Sequence, residues 1–186
     1  MPAKGCCSST RRRARACRRN SALPETEFVA PPFGRGLLEK LRALNNAHAL
    51  ELSYAAEPEF LALIAAASTV RAEASGLALL IAFDETCTYA SPNFAWLKSK
   101  FPRFIYIDRI VVDEQARGMG LARKLYAELE IRAREQSRER LVCEINSVPP
   151  NPSSDAFHRA LGFLPVGKQV LKGKGKTVRY WAKEFS

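Results

Sequence analysis

The chain has 186 residues, of which 47% are hydrophobic and 26% charged, and these proportions fit one globular domain and exclude a disordered chain. The most apolar run, residues 77–83, is far shorter than the eighteen or so residues that cross a bilayer, so no membrane span is expected. The formal net charge of +10 is concentrated in residues 1–24, which carry seven basic residues and no acidic one, so the rest of the chain is not expected to bind nucleic acid.

The start of the chain is a basic leader, which we assign to residues 1–35 and expect to be disordered. Prolines and glycines at its end separate it from a folded domain of residues 36–186. Two alternatives stay open, an organellar transit peptide and a segment that docks on nucleic acid or an acidic membrane. Three of the five cysteines lie in the leader and Cys87 and Cys143 are isolated, so we expect no disulfide framework and a cytoplasmic protein.

The first half of the domain is predicted to be mainly helical. Leucines at three- and four-residue spacing predict a helix over residues 37–50, and residues 57–67 form a second one. Two short strands are expected around Gly76, followed by a helical turn at residues 94–100. Residues 28–30 are too short and too close to prolines to predict an earlier strand.

The second half alternates strands and helices. Residues 104–112 are rich in β-branched and aromatic side chains and predict the strongest strand. Residues 118–136 predict the longest helix, with Ile131 among its inward residues. The remaining predicted elements are a strand at 141–145, a helix at 154–160, and a hairpin with strands at 163–171 and 177–183. This order predicts a mixed α/β (α+β) sheet flanked by helices.

A glycine-containing turn joins the strongest strand to the longest helix. It reads Arg117-Gly-Met-Gly120-Leu-Ala122. Glycines remove side chains where a ligand approaches the backbone, and the helix N-terminus that follows directs free N–H groups and a positive dipole outward. Such a turn suits a phosphate or a pyrophosphate.

Other site signatures fail in this sequence. A dinucleotide-binding turn would need a third glycine where Arg123 stands, and the P-loop-like stretch that ends at Gln169 has glutamine in place of the hydroxyl residue. Two histidines and scattered cysteines supply no set of four metal ligands, and there is no Gly-x-Ser-x-Gly motif. We therefore expect no metal and no serine-hydrolase chemistry.

Two motifs, in the order in which they follow each other along the chain, resemble those of the GNAT superfamily of acyl-CoA-dependent N-acetyltransferases. The turn at 117–122 matches the family's acetyl-CoA signature, and a register that starts at Gln115 also fits. The second motif starts at Asn151, has an aromatic residue seven positions later, and closes with Gly162-Phe. The element order extends the resemblance to about residues 37–185. A bacterial-type subgroup also shares the Asn45-Asn-Ala-His motif, which implies no substrate.

The resemblance implies a GNAT fold, with a central, mixed, mostly antiparallel sheet whose fourth and fifth strands splay apart. It also implies acetyl-CoA as the acyl donor and no metal. Asn151 is expected to contact the cofactor, although capping the next helix is an equal alternative. The backbone of the strand is expected to bind pantetheine and the turn to bind pyrophosphate, through Ile110, Val111, Val112, Arg117, Gly118, Met119, Gly120, Leu121 and Ala122.

Two residues are the catalytic candidates. His158 stands where many members carry a tyrosine that protonates the leaving thiolate, so we expect it to be the acid or a thiolate stabiliser, with a capping role as the alternative. Asp108 is the one acid in the strongest strand, and we expect it to share a face with Ile110 and to act as the base. An ion pair with an arginine is its alternative fate, and Glu144 is the rival base.

The function predicted from this resemblance is direct transfer of an acetyl group from acetyl-CoA to a primary amine of a small molecule or peptide. A homodimer is compatible with the family. The competing hypothesis is a binding module that senses acyl-CoA and docks through its basic leader. By the same resemblance, His48, with Asn45 and Asn46, is expected near the region that receives substrate in this family. A purely structural role for His48 is the alternative.

Overall fold

The structure is a computed structural model that describes residue 1, residues 26–171 and residues 175–185. Most of the basic leader and residues 172–174 of the expected hairpin turn lie outside the described residues. The strands are β1 Phe28–Val29, β2 Thr69–Glu73, β3 Ala78–Asp84, β4 Phe104–Val112, β5 Arg140–Val148, β6 Leu164–Leu171 and β7 Lys176–Glu184. The helices are α1 Arg35–Ala47, α2 Ala49–Leu52, α3 Glu57–Ala66, α4 Pro92–Lys100, α5 Leu121–Glu135 and α6 Pro152–Ala160.

These strands form one sheet in the order β1-β2-β3-β4-β5-β7-β6. Every neighbouring pair is antiparallel except β4 and β5, which run parallel. Their pairing extends only from Phe104 opposite Arg140 to Ile107 opposite Cys143. Beyond that point the two strands separate, while β4 keeps its pairing with β3 and β5 keeps its pairing with β7. The predicted mixed α/β fold with splayed fourth and fifth strands is confirmed.

The two faces of the sheet carry separate hydrophobic clusters. One cluster packs α1, α3 and α4 against the sheet, and the other packs α5 and the residues around α6 against the opposite face. Helix α5 contributes Leu121, Leu125 and Leu129 at four-residue spacing. Ile131 is 60% exposed, and Ala133 continues the buried row in its place. The prediction that Ile131 faces inward is wrong, because two residues of helix rotate a side chain to the opposite face.

The sheet begins earlier than the sequence indicated. Phe28 and Val29 pair with Glu73 and Ala72 of β2, and the N–H of Ala74 donates to the carbonyl of Glu27 at 3.0 Å. The strand that the proline-flanked sequence did not predict is therefore present, ahead of the expected boundary at residue 36. Its backbone hydrogen bonds come from a strand more than forty residues away, which no local pattern signals.

A β-bulge interrupts β4 at Asp108. Ile81 of β3 lies opposite Arg109, and its neighbour Ala82 lies opposite Ile107, so Asp108 is the extra residue. The alternation of side chains reverses there. The prediction that Asp108 shares a face with Ile110 is wrong, because Asp108 bonds to residues on the side of the first cluster while Ile110 packs against the second.

Among the described residues, no helix is both long enough and apolar enough to cross a membrane.

Candidate active site

A cleft opens where β4 and β5 separate. It contains a cavity of about 550 Å³ beside the start of α5 and a second cavity of about 300 Å³ that extends under α2 and α4. Ile110, Asn151 and His158 line both cavities, so the two spaces meet at these residues. Parallel strands that part in this way leave backbone polar groups without a partner strand, and an extended ligand with amide groups can bond to them.

The glycine turn lines a third cavity of about 250 Å³, which adjoins the larger one at Arg117 and Ala122. Gly118 and Gly120 have φ values of +82° and +79°, a left-handed backbone that favours glycine. A Cβ atom at either position would meet no atom within 4 Å, so the space above the turn is open. The first helical hydrogen bond of α5 runs from the N–H of Lys124 to the carbonyl of Gly120 at 3.0 Å. The N–H groups of Leu121 and Ala122 therefore precede the helical ladder and are available to an anion.

Two other N–H groups of the turn are used within it. The N–H of Arg117 donates to the carbonyl of Glu114, and that of Met119 donates to the carbonyl of Ala116, both at 3.3 Å. The Arg117 guanidinium also forms an exposed ion pair with Glu114 at 3.3 Å. Of the turn residues that the sequence singled out, the glycines and the first residues of α5 thus have the freest backbone donors.

The walls of the larger cavity include β4 and the N-terminus of α6. Val111 and Val112 line it together with Ile110, as the sequence analysis expected of pantetheine-binding residues. Asn151 caps α6, because its Oδ1 accepts from the N–H of Ser154 at 3.1 Å. The capping role and a position on both cavities are therefore combined in one residue.

His158 is buried and bonded through both ring nitrogens. Its Nδ1 lies 2.8 Å from the carbonyl oxygen of Ser154, which can only accept, so Nδ1 carries the proton. Its Nε2 therefore has no proton and accepts a hydrogen bond from the hydroxyl of Tyr126 at 2.8 Å. Burial lowers the pKa of His158 below its usual 6.5, so the ring is neutral at neutral pH. Tyr126, whose hydroxyl donates to His158, also lines the smaller cavity, and the sequence analysis missed it.

Asp108 is fully engaged by neighbouring donors. Its Oδ1 accepts from the hydroxyls of Tyr89 at 2.9 Å and Tyr106 at 3.0 Å, and its Oδ2 pairs with Nε of Arg109 at 3.2 Å. Burial raises the pKa of Asp108, while Arg109 and the two phenols act in the opposite direction. Arg109 is itself held by the side chain of Asn45 in α1.

Glu144 lines the smaller cavity, as Asp108 does, but its carboxyl group has fewer hydrogen-bond donors around it. Its Oε1 accepts from Nδ2 of Asn93 at 2.8 Å, and the hydroxyl of Tyr180 in turn donates to Oδ1 of Asn93 at 3.0 Å. Its Oε2 is buried and has no hydrogen-bond partner within the described ranges. Burial, and next the negative charge of Asp108, raise the pKa of Glu144 to about 8. A carboxyl group with such a pKa is mostly protonated at neutral pH, and its ionised form is a stronger base than that of an ordinary glutamate.

Comparison with known proteins agrees with this geometry. The model of the Acetyltransferase (GNAT) family matches residues 76–163, which contain the glycine turn and most of the cleft. No curated protein matches the chain in sequence. Residues 76–163 therefore form a GNAT acetyltransferase domain.

Solved GNAT structures show the same fold. Ribosomal-protein-alanine N-acetyltransferase from Brucella melitensis is 20% identical, with a TM-score of 0.59 over 86% of this chain and 99% of that chain. Ard1 from Thermoplasma volcanium is 13% identical, with a TM-score of 0.63 over 84% and 97%. A chain of the NatC complex bound to Gag peptide and CoA is 12% identical, with a TM-score of 0.62 over 86% and 99%. At these identities the likeness shows the fold.

GNAT enzymes use acetyl-CoA, and the residues of this GNAT cleft fit its two ends. The open space above Gly118 and Gly120 leaves room for a pyrophosphate, and the separated stretch of β4 leaves room for an extended pantetheine. In the part of the chain that the structure describes, no cluster of three or more His, Cys, Asp or Glu side chains could hold a metal ion.

The Asn-Asn-Ala-His corner mainly shapes the GNAT cleft. Asn45 is fully buried and bonds to Arg109 and to the carbonyl of Ser53, and Asn46 bonds to the backbone of Ala55. His48 lines the larger cavity and is half-buried. The buried asparagine thus supports the Asp108–Arg109 pair from outside the sheet.

Proposed function

We propose that the chain transfers the acetyl group of acetyl-CoA directly to a primary amine. The observation that carries this proposal is the continuity of the cleft. Three adjoining cavities between β4 and β5 share lining residues: the one above the glycine turn meets the larger cavity at Arg117 and Ala122, and the larger one meets the smaller, Glu144-lined cavity at His158. A phosphate site, a path for an extended thioester and a proton acceptor are the parts that a direct acetyl transfer requires.

The donor site uses the backbone more than side chains. Gly118, Gly120, Leu121 and Ala122 would bind the pyrophosphate through N–H groups and the helix dipole. The alternate backbone groups of residues 110–112 would bond to the pantetheine amides. When bound, acetyl-CoA supplies an acetyl thioester whose carbonyl carbon is the electrophile.

We assign the base to Glu144. The carboxylate takes one proton from the acceptor ammonium, which frees the nitrogen lone pair to bond to the acetyl carbonyl carbon. Asp108, the base that the sequence favoured, already binds Tyr89, Tyr106 and Arg109 through both oxygens. Its role in the proposal is to hold those donors and, by its charge, to raise the pKa of Glu144.

We assign the proton donor for the leaving sulfur to Tyr126, with His158 as the residue that positions it. Tyr126 would turn its hydroxyl from Nε2 of His158 to the departing sulfur and give it one proton as the carbon–sulfur bond breaks and the carbon–nitrogen bond forms. The second proton that the acceptor nitrogen loses would restore the phenol. The Tyr126 hydroxyl is held by Nε2 of His158, which is fixed as an acceptor by the bond from Nδ1 to Ser154. His158 therefore acts through Tyr126, in place of the direct role that the sequence predicted.

The test uses the full-length chain, acetyl-CoA and a mixture of primary amines, with thiol release as the readout and calorimetry for CoA binding. Gly120→Glu places a negative charge in the phosphate site, and we expect CoA affinity to fall at least about 100-fold. Gly120→Ala shares the backbone strain without the charge, so its loss should be much smaller. Wild-type protein that neither binds CoA nor releases thiol would refute the proposal.

A further inference from the structure

The smaller cavity contains a buried carboxyl group with no cationic partner. Arg109 lies against the same cavity, but its guanidinium is committed to Asp108, to Asn45 and to the carbonyl of Ser53. In residues 26–171 and 175–185, no lysine or arginine forms an ion pair with Glu144. Ionising a buried carboxyl group without a counter-ion is costly, so this position favours a ligand that brings its own positive charge and thereby stabilises the carboxylate form.

The exposed surface of the other walls is mostly polar, and Ile110, Ile145 and Val178 add apolar patches. Tyr89 and Tyr126 contribute phenol groups, and Asn93 and Asn146 contribute amides. Its volume of about 300 Å³ equals the space of about ten water molecules at roughly 30 Å³ each. A ligand of sugar size with hydroxyl or amine groups matches both the lining and the volume.

Two hydrogen bonds bridge the cavity between α2 and the β5–β7 part of the sheet. Nζ of Lys176 at the start of β7 donates to the carbonyl of Leu50 in α2 at 2.6 Å, and Nδ2 of Asn146 in β5 donates to the same carbonyl at 3.5 Å. These bonds join α2 to the β6–β7 side of the sheet across the cavity, which Lys176 and Glu51 both line. A polypeptide that extends out between α2 and β7 would have to break them.

We infer that the cavity takes a small hydrophilic primary amine whose ammonium group pairs with the Glu144 carboxylate, and that the acceptor is a small molecule rather than a protein N-terminus. This inference rests on the proposed acetyl transfer. The positive charge supplies the missing counter-ion, the polar walls bond to the rest of the molecule, and the Lys176–Leu50 bridge limits its length.

The first experiment compares acceptors at saturating acetyl-CoA. The probes are 2-aminoethanol, 1,4-diaminobutane and glucosamine as small amines, and an octapeptide with a free α-amino group, with thiol release and product mass as readouts. We expect acetylation of a small amine with a kcat/KM at least about 30-fold above that of the octapeptide. An octapeptide that reacts as well as the small amines would overturn the inference. Transfer to neither class counts against the proposed function itself.

Variants test the two structural arguments separately. Glu144→Gln should lower kcat/KM for the small amine at least about 30-fold and abolish binding of that amine, measured by calorimetry in the presence of CoA. Glu135→Gln on the exposed face of α5 should change neither quantity.

The bridge is tested by Lys176→Met, which should raise the rate of octapeptide acetylation at least about 10-fold. Lys168→Met on β6 is the matched control. Unchanged amine binding in Glu144→Gln, or an unchanged octapeptide rate in Lys176→Met, would contradict the corresponding argument.

Discussion

The environment of Glu144 has a measurable effect on the pH dependence of folding. The native pKa of about 8 lies above the ordinary 4.5 of a glutamate, so between these values the native state holds a proton that the unfolded chain has lost. Stability from this group is therefore present at low pH and is lost as pH rises toward 8. Glu144→Gln has a similar shape and no charge at any pH, so its free energy of unfolding lacks this loss.

The magnitude follows from the pKa values. Each pH unit between 5.5 and about 8 removes about 1.4 kcal/mol, so the wild type should lose roughly 3 kcal/mol relative to Glu144→Gln between pH 5.5 and pH 9. The burial of Oε2 without a partner is the physical cause. The negative charge of Asp108 adds to this cost in the wild type alone, because Glu144→Gln has no charge for it to repel.

The assay is urea unfolding of both proteins at several pH values from 5.5 to 9, with Glu135→Gln as a control for removing a surface carboxylate. The expected result is a difference between wild type and Glu144→Gln that moves in favour of the variant as pH rises. Two stability curves that stay parallel over this range would show that Glu144 ionises like an exposed glutamate, and the argument for a desolvated base would fail.

Two further predictions concern the proton donor and the packing of the sheet edge. Tyr126→Phe and His158→Ala should each lower kcat at least about 10-fold, with the KM for acetyl-CoA changed less than about 3-fold. The double variant should lose no more activity than the worse single variant, because the two residues act as a unit. Additive losses would argue against a shared role. Gly167→Ala should destabilise the fold by about 1–3 kcal/mol, measured by urea unfolding, because its Cβ would overlap Cη2 of the Trp96 ring. Trp96→Phe should relieve most of that cost, and an equal cost in both backgrounds would refute the packing argument.

Local patterns predicted most of the secondary structure and the glycine turn. The strand at 104–112 and the turn at 117–122 were both readable because glycine placement and two-residue or 3.6-residue periodicity are local properties. The acceptor end was less accessible. Tyr126 reads as one more core residue of an amphipathic helix, and only its position opposite His158 gives it a hydrogen-bonding role.

The composition, the basic leader, the family motifs and the order of elements were determined by the sequence alone, because each depends on neighbours along the chain. The tertiary structure decided three other features: the bulge at Asp108, the pairing of β1, and the absence of a cation from the surroundings of Glu144 among the described residues. Each depends on partners far away in sequence. A charge has no fixed role until folding determines which counter-ions, donors and waters remain within reach of it.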